Sequence, residues 1–485
     1  MTFLSGSFFA FLPILFLLFF AVKGQYRYLV LLAANYVFYA WADPSVLPLL
    51  LLSTGLTYVG GLLLEKNKKA SIYWTFFAAN ILILLVCKYT GFAMDTVAAI
   101  CSRLSLPVPE VTWSLVAPVG LSFYIFQSTT YLSDIYRKGL EAERNPARYA
   151  AFVSFFPTIL SGPIQKARNL LPQLKNPPEF TFEKAQKGLV LLIWGYFVKV
   201  VVANRLSYVV NLVYNDYTNY DGIYYLLAAV CFSLYIYCDF SSYSDMARGV
   251  AGILGFDICK NFKNPYLAES LSDFWNRWHM SLNDWFIENV YIPLGGNRKG
   301  VLRKYLNIMV VFLLSGLWHG ASWNYVIWGA ANGALRITGE VLSPAKRRGY
   351  ELLQLNENTI TARTVKRLGV FYWITITWVF FRVSSVSVAA HIIKNMLLFQ
   401  PMTLFDPSII TICGTAEQTL LLVVFTAIFI AVQCMRRKGG ELYRIFVREP
   451  VVIQMIILAL AVCACVFSAF SGSFEVNTQF IYFDF

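Results

Sequence analysis

The feature that most constrains this chain is a series of long apolar segments that recurs from one end to the other. Those near its ends, residues 8–22 and 451–469, approach the roughly 20 apolar residues that a helix needs to cross a bilayer. Of the 485 residues, 58% are hydrophobic and only 14% are charged, which lies well outside the range of soluble proteins. The sequence therefore predicts an all-α polytopic membrane protein of about 10–12 transmembrane helices.

The distribution of basic residues predicts the orientation of the chain in its membrane. Lys and Arg cluster at 66–69, 137–148 and 346–348, at alternate ends of the apolar segments, as they do in cytoplasmic loops. The net charge of +13 therefore indicates topology and contact with membrane lipid, not nucleic-acid binding. Both termini are predicted to be extracytoplasmic, and residues 8–22 are predicted to be a retained span because no basic segment precedes them.

The apolar segments predict a single integral membrane domain over residues 1–485. Within it, residues 1–133 form the N-terminal spans and residues 134–345 form a core that contains two histidines. Residues 346–485 form the C-terminal spans and an external tail. The core includes residues 150–164, which are too short to span a bilayer comfortably and contain two prolines, so a re-entrant segment is predicted there.

His319 is the most deeply placed ionisable residue that the sequence predicts. Residues 305–318 form an apolar helix after a basic pair at 303–304, and about 15 residues at ~1.5 Å each place His319 roughly 22 Å into the bilayer. A histidine at that depth is costly unless it faces a polar cavity. The small residues around Trp318 and His319 predict a helix break beside such a cavity, where imidazole can act as a base. The alternative is a buried histidine that hydrogen-bonds a neighbouring helix.

His279 lies in an aromatic segment with helical periodicity, which would place apolar residues on one face of a helix and polar residues on the other. The apolar face comprises Trp275, Trp278, His279, Leu282, Trp285 and Phe286, and the polar face comprises Asn276, Asn283, Asp284 and Glu288. This pattern predicts an amphipathic helix at the membrane surface, with its tryptophans, Trp278 among them, at the level of the lipid headgroups. Trp278 and Trp318, each next to a histidine, are further candidate site residues. His279 either bridges water and headgroups there or belongs to a site, and the residues alone leave both interpretations open.

Other polar residues in apolar surroundings are further candidates. Asp239 and Asp245 end an apolar segment, where an ion pair with Arg248 explains them about as well as a role in a site. Asn332 can hydrogen-bond across helices near the cavity, although helix packing is the simpler explanation.

The segment GGNRKG at residues 295–300 combines glycine with positive charge. Its residues Gly295, Gly296, Arg298 and Lys299 are candidates for holding the phosphate of an acyl donor, although the segment lacks the spacing of a P-loop. A cytoplasmic turn that contacts anionic lipid would have the same composition. The nine cysteines have no zinc-binding spacing, so no metal is predicted.

The terminal segment FIYFDF follows the last apolar segment and contains neither Lys nor Arg. Its only hydroxyl belongs to Tyr482, and a phenol becomes a usable nucleophile when a histidine removes its proton. The tail is therefore predicted to act on an acyl group outside the membrane. An aromatic anchor at the outer interface is the alternative interpretation.

Several segments together resemble the membrane-bound O-acyltransferase family. The resemblance is greatest to its bacterial branch that O-acetylates exported polysaccharides such as alginate, and more distant to its teichoic-acid D-alanyl transferases. The matching strings are CDFSSYSDMARG, FWNRWHMSLNDW, YIPLGGNRKG, GLWHGASWNYVIWG and FIYFDF. Their order and spacing over most of the chain make the resemblance specific, since no single short motif carries it.

The resemblance implies a bundle of helices around a central cavity. It also implies an enzyme that transfers an acyl group to an exported polysaccharide, and acetyl is the favoured acyl group. It implies that His319 is the catalytic histidine, that His279 lines the cytoplasmic mouth of the cavity and that Tyr482 relays the acyl group. The donor would be acetyl-CoA or a phosphopantetheine-type thioester, with no tightly bound cofactor. An extracytoplasmic SGNH-type acyltransferase or esterase would complete transfer to the polymer.

Two other functions fit parts of the sequence. One is D-alanyl transfer to teichoic acid. The other, from a different class, is a transporter or flippase with His319 in a proton relay. An inverted repeat or paired acidic residues at mid-membrane depth would favour a transporter, and neither is evident in the sequence. The enzyme is therefore the favoured hypothesis.

Overall fold

The fold is built from helices, as the apolar segments predict. The computed structural model describes residues 1–41, 43–107, 117–354, 356–398, 406–437, 442–470 and 480–481. Within these ranges no β-strand occurs, which confirms the predicted all-α class. We number the helices in chain order. They are α1 Gly6–Ala21, α2 Arg27–Ala40, α3 Leu47–Lys66, α4 Ala70–Arg103, α5 Leu121–Lys138, α6 Pro146–Val153, α7 Phe156–Ile159, α8 Ala167–Lys175, α9 Phe182–Asn215, α10 Gly222–Ile253, α11 Leu271–Trp275, α12 Met280–Phe286, α13 Val301–His319, α14 Trp323–Val341, α15 Ser343–Leu352, α16 Ile360–Arg382, α17 Val386–Leu397, α18 Ala416–Arg437, α19 Leu442–Val447 and α20 Val451–Phe470.

The described helices include seven that are long and apolar enough to cross a membrane. They are α3, extended at its start by a short 3₁₀ turn, and α4, α9, α10, α13, α18 and α20. Helices α5, α14 and α16 have 18, 19 and 23 residues but are less apolar, because they carry polar and charged side chains. Helix α1 is apolar but has only 16 residues. The predicted number of about 10–12 spans includes these shorter and more polar helices.

The described residues form two compact units. The first contains those of residues 1–192 and 246–259, and the second contains those of residues 193–245 and 260–481. In the first unit, α3 packs against α4 and α5. The residues predicted to form a re-entrant segment, 150–164, also lie in this unit, where α6 and α7 are short and buried. They contain no helix long enough to span a bilayer, as their prolines predict.

Helix α9 continues through the two basic residues that interrupt its apolar sequence. Residues Phe197–Ala203 form a π-helical segment that contains Lys199, and Arg205 lies just beyond it. Both side chains are almost fully buried, at 0% and 1% exposure. A π-helical segment within an α-helix is rare and is frequently associated with function, and a buried lysine requires a partner.

Helices α13 and α14 form a closely packed antiparallel hairpin in the second unit. Helix α13 ends at His319, where Gly320 adopts an extended conformation, as the glycines around the histidine predict. The backbones approach closely because glycines lie at the contact. A Cβ atom on Gly316 would lie 2.2 Å from the carbonyl oxygen of Tyr325, and one on Gly329 would lie 2.4 Å from that of Phe312. Small residues at such contacts allow close helix packing in membranes.

We expect Gly316→Ala to destabilise the protein although alanine is the better helix former. The new methyl group would meet backbone atoms, so α13 and α14 must separate, at a cost on the order of 1–3 kcal/mol. Thermal unfolding of the purified protein in detergent measures this as a lower melting temperature. Gly91→Ala in α4 is the matched control, because a Cβ atom added there would have no neighbour within 4 Å. Equal melting temperatures for the two variants would contradict the close approach.

Candidate active site

His279 lies at a break between two short helices. Helix α11 ends at Trp275, α12 begins at Met280, and His279 has a left-handed backbone conformation with φ 43°. The prediction of one continuous amphipathic helix was therefore wrong, as was the placement of Trp278 at the lipid headgroups, since this side chain is 2% exposed. The apolar face is confirmed, because its six positions are buried or half-buried. On the predicted polar face Asn276 and Asp284 are exposed, whereas Asn283 and Glu288 are half-buried.

Contacts with distant residues stabilise this break. The backbone carbonyl of Asn261 accepts the N–H of Met280 at 2.9 Å, and its side-chain oxygen accepts the hydroxyl of Ser281 at 2.6 Å. These bonds satisfy groups at the start of α12 that have no partner within the helix. Phe240 packs edge-on against the His279 ring with the centroids 4.6 Å apart, which fixes the imidazole beside α10.

His279 is a neutral imidazole over the physiological pH range. Its side chain is almost fully buried, and this burial lowers its pKa from 6.5 to about 3. A base with so low a pKa is poorly matched to proton abstraction near neutral pH. His279 is therefore better suited to orienting a ligand than to removing a proton.

The lowered pKa predicts that His279 makes the protein less stable in acid. Below pH 6.5 the unfolded chain binds a proton at this residue and the folded chain does not. The free energy of unfolding therefore keeps its full value above pH 6.5 and decreases as the pH falls from 6.5 towards 3. We expect His279→Gln to lose less stability than the wild type between pH 7 and pH 5. Thermal unfolding at the two pH values measures the difference, and identical losses would contradict it.

His319 lies among aromatic side chains from three helices. Its ring contacts those of Trp318, Trp328 and Phe381 at centroid distances of 4.8, 5.2 and 5.0 Å. Trp328 stacks on Trp378 of α16, so the wall behind the histidine is rigid and apolar. His319 is 3% exposed, so its side chain is buried within the protein, and its depth in a bilayer stays a prediction.

The two histidines share one cavity, and Trp318 contacts both of them. The cavity has a volume of about 230 Å³ and lies within the second unit. Its wall combines aromatic, small polar and basic side chains. The lining residues are Ser272, Trp275, Asn276, Trp278, His279, Leu282, Asn283, Phe286, Ile287, Tyr291, Lys304, Ile308, Val311, Phe312, Ser315, His319 and Arg336. This arrangement places His319 beside a cavity whose wall is largely apolar but includes basic, amide and hydroxyl side chains.

The cavity also has a cationic wall, which the sequence analysis missed. Lys304 and Arg336 both line it, and both form ion pairs with Glu340, that of Arg336 at 3.0 Å. Two positive charges and one negative charge leave an excess of one positive charge. The sequence showed Lys304 and Arg336 only as basic residues at the ends of apolar segments, because they lie on different helices.

Trp275 contributes a hydrogen-bond donor to the same wall. Its indole N–H is buried and has no hydrogen-bond partner among the residues that the structure describes. A buried donor without a partner is costly.

The candidate phosphate-binding turn lies before α13. Gly295 and Gly296 both have positive φ, at 106° and 58°, and Asn307 of α13 donates its amide N–H to the Gly296 carbonyl at 2.9 Å. Within the described part of the chain, the residues that line the cavity include neither these glycines nor Arg298 and Lys299. Their contact with an acyl donor stays a prediction.

The other candidate residues form ion pairs and hydrogen bonds outside the cavity wall. Asp239 pairs with Lys199 at 2.6 Å, and Asp245 accepts a hydrogen bond from Arg436 at 3.0 Å, so both form the ion pairs that the sequence left open, with partners other than Arg248. Asn332 of α14 faces Thr377 of α16.

The Thr377 hydroxyl donates to the Ile374 carbonyl at 2.9 Å, and its oxygen lies 3.5 Å from the side-chain oxygen of Asn332, at the limit of a hydrogen bond. The cross-helix bond of Asn332 stays a prediction. Tyr482 lies outside the described residues. The two residues before it, Phe480 and Ile481, are buried.

These features together define an integral-membrane protein with a shared two-histidine site, and comparison with known proteins assigns its class. Residues 46–386 match the model of the membrane-bound O-acyltransferase family, MBOAT, over more than two thirds of the chain. The chain belongs to this family and is an O-acyltransferase, a multi-pass membrane protein.

Several relatives match over most of the chain. The "Probable alginate O-acetylase AlgI" of Pseudomonas putida is 34% identical over 435 residues, which cover 88% of this chain and 87% of the relative. The "Peptidoglycan O-acetyltransferase" of Helicobacter pylori is 31% identical over 424 residues, which cover 80% and 78%. The "Teichoic acid D-alanyltransferase" of Bacillus subtilis is 30% identical over 247 residues, which cover 48% of this chain and 61% of the relative.

Proposed function

We propose that this O-acyltransferase moves an acetyl group from a thioester donor on the cytoplasmic side of a bacterial cell membrane towards an exported polysaccharide. The observation that carries the proposal is the shared cavity, in which His279 and His319 lie together with a cationic wall. The relatives named for O-acetylation of alginate and peptidoglycan, which match 80% or more of the chain, support an acetyl group and a polysaccharide acceptor.

The cationic wall supports acetyl-CoA or a phosphopantetheine-type thioester as the donor. Both donors carry phosphate groups at one end and the reactive thioester at the other. Lys304 and Arg336 would hold a phosphate by charge-assisted hydrogen bonds, while the pantetheine arm extends along the aromatic wall towards His319. The donor N–H of Trp275 would then contact the thioester carbonyl, whose oxygen gains negative charge during the reaction.

His319 is the base in this proposal. It removes the proton of the attacking hydroxyl as the oxygen forms a bond to the thioester carbon, and it returns this proton to the departing thiolate. The products are an oxygen ester and a free thiol, so atoms and charges balance without any further reactant. His279, whose pKa is lowered to about 3, stays neutral throughout and orients the donor within the cavity.

The final transfer to polymer requires an acceptor outside the membrane. We assign this step to an extracytoplasmic SGNH-type partner, whose serine would accept the acetyl group from Tyr482 of this chain. Both termini of the present chain would then face the outside, as the distribution of Lys and Arg predicts.

D-alanyl transfer is the second candidate, because the teichoic-acid D-alanyltransferase of Bacillus subtilis matches nearly half of the chain. The acetyl hypothesis is favoured because the acetylases match over almost twice that share at equal or higher identity. The two donors present the same pantetheine arm, so only the acyl group distinguishes them.

The purified protein in proteoliposomes tests the proposal. Acetyl-CoA labelled in the acetyl group is supplied to one face at a time, and acyl transfer to the protein is measured together with loss of the thioester. We expect transfer only when the donor reaches the face that bears the basic loops. Equal transfer from either face would contradict the direction, and preference for a D-alanyl thioester would assign the second function.

The cationic wall provides a separate prediction about donor affinity. We expect neutralisation of Lys304 and Arg336, as Lys304→Gln with Arg336→Gln, to raise the donor KM about tenfold with a smaller effect on kcat, which corresponds to ~1.4 kcal/mol. The double variant Arg298→Gln with Lys299→Gln removes the same charge from the turn before α13. A larger rise in KM for the turn variant would locate the donor phosphate at the turn.

A further inference from the structure

Residues 480 and 481 of the C-terminal tail lie against a fully buried ion pair. Lys199 of α9 and Asp239 of α10 are both 0% exposed, and their Nζ and Oδ1 atoms lie 2.6 Å apart. The second carboxylate oxygen of Asp239 accepts the backbone N–H of Ile481 at 2.9 Å. The ammonium of Lys199 lies over the ring of Phe480, 4.7 Å from its centroid.

Side chains around the pair complete a binding site for these two tail residues. Tyr243, one turn beyond Asp239 on α10, packs edge-on against Phe480 with the centroids 4.9 Å apart. Phe480 and Ile481 are 1% and 7% exposed, although they lie at the end of the chain. Terminal residues are usually poorly ordered unless specific contacts hold them, and here three side chains from two helices do so.

A buried ion pair is an inefficient means of stabilising a fold. Removing two charges from water costs several kcal/mol each, and hydrophobic residues of similar volume often serve as well or better. The best-attested use of such a pair is to specify one arrangement among several. In this chain the pair contacts the backbone of the tail, so the arrangement that it specifies is the position of residues 480 and 481.

We propose that Lys199 and Asp239 are positioning residues for acyl transfer, because they fix the tail at the residue that directly precedes Tyr482. This inference rests on the proposed relay through Tyr482. It identifies the residues that determine which position of the tail is held against α9 and α10. A shift of one residue along the tail would move the hydroxyl by roughly 3 Å, which is sufficient to prevent attack on a bound thioester.

The variant Lys199→Met with Asp239→Leu tests the proposal. It keeps the volume of the pair but removes both charges and the acceptor of the Ile481 N–H. Hydrogen exchange, followed by mass spectrometry of the C-terminal peptide, measures the docking of the tail directly. We expect exchange of the tail to accelerate by at least about tenfold, because a hydrogen bond to a charged group is lost. The rest of the protein and the melting temperature should change little.

The same variant should show a specific kinetic defect. We expect kcat for acyl transfer to fall at least about tenfold with the donor KM unchanged, because the donor site is intact while the acceptor is misplaced. The matched variant Lys199→Met with Asp239→Asn retains a side-chain oxygen for the Ile481 N–H. It should preserve more of the protection from exchange and more of the activity than the leucine variant.

A second variant keeps the test decisive if the double variant does not fold. Phe480→Ala removes the contacts with Lys199 and Tyr243 but leaves the ion pair intact. It should likewise accelerate exchange of the tail and lower kcat without changing the donor KM.

The outcomes separate this inference from the proposed relay. Unchanged exchange in the folded variants would show that the pair does not hold the tail, and faster exchange with unchanged kcat would show that its position does not control transfer. Either result overturns the inference. Failure of the relay itself would appear in Tyr482→Phe, whose tail should stay protected from exchange whether or not the phenol carries the acyl group.

Discussion

His319→Ala is expected to abolish acyl transfer while the protein accumulates in the membrane at normal levels. The imidazole lies at the end of α13 in the cavity that His279 also lines, and its removal eliminates the base that accepts the proton of the attacking hydroxyl. General-base catalysis contributes roughly 10²–10⁴-fold, so transfer by the purified variant should fall by at least two orders of magnitude. Release of thiol from labelled acetyl-CoA measures this loss.

The three histidines of the chain provide the controls. His391→Ala removes an imidazole on α17 that contacts Tyr225 and Asn395 and does not line the cavity, so transfer should be unaffected. His279→Gln should impair transfer less than His319→Ala, since a neutral glutamine replaces a neutral imidazole. A loss of only a few-fold in His319→Ala would identify this histidine as a packing residue and leave the base unassigned.

The end of helix α13 at His319 could be predicted from sequence because the relevant signals are local. An apolar run of known length begins at a basic pair, and Gly320 directly follows the histidine and ends the helix. The close approach of α13 and α14 follows from glycines within the same segment. Each of these features depends on residues that lie near one another in the chain, so periodicity and composition reveal them.

The break at His279 could not be predicted because its cause is distant in sequence. Asn261 supplies the hydrogen bonds that start α12, and Phe240 packs on the imidazole from α10. The helical periodicity of residues 275–286 is real, since the six positions of its apolar face are buried or half-buried. Periodicity describes which side chains are buried, however, and does not specify whether the backbone between them is continuous.

Which charged residues form ion pairs could not be predicted from the sequence either. Lys199 appeared in the sequence only as an interruption of an apolar segment, and Asp239 had Arg248 as a nearer potential partner. The structure joins Lys199 to Asp239 across 40 residues, and Asp239 to Ile481 across 242. The cationic wall likewise combines residues of α13 and α14 that the sequence shows only as basic residues at the ends of apolar segments. Tertiary packing determines which charged residues form ion pairs, and this packing cannot be read from the sequence.

Tyr482→Phe is expected to block acylation of the polymer without changing the abundance of the protein. Phenylalanine keeps the aromatic ring that an interfacial anchor requires and removes only the oxygen. In the proposed relay this oxygen attacks the donor thioester, which yields a tyrosine ester and a free thiol. The serine of the partner then attacks that ester, which restores the phenol. The loss should equal that of His319→Ala, because both variants interrupt the same path.

Mass spectrometry of the C-terminal peptide measures the intermediate directly. With labelled acetyl-CoA and no partner protein, the wild type should retain one acetyl group on this peptide, and Tyr482→Phe should retain none. Tyr372→Phe is the matched control, because Tyr372 is exposed on α16 and its hydroxyl has no role in the relay. A phenol has an ordinary pKa near 10 and reacts slowly without a base, so His319→Ala should also leave the peptide unlabelled. Normal polymer acylation by Tyr482→Phe would instead establish the tail as an aromatic anchor, with acyl transfer to the partner proceeding directly from the donor.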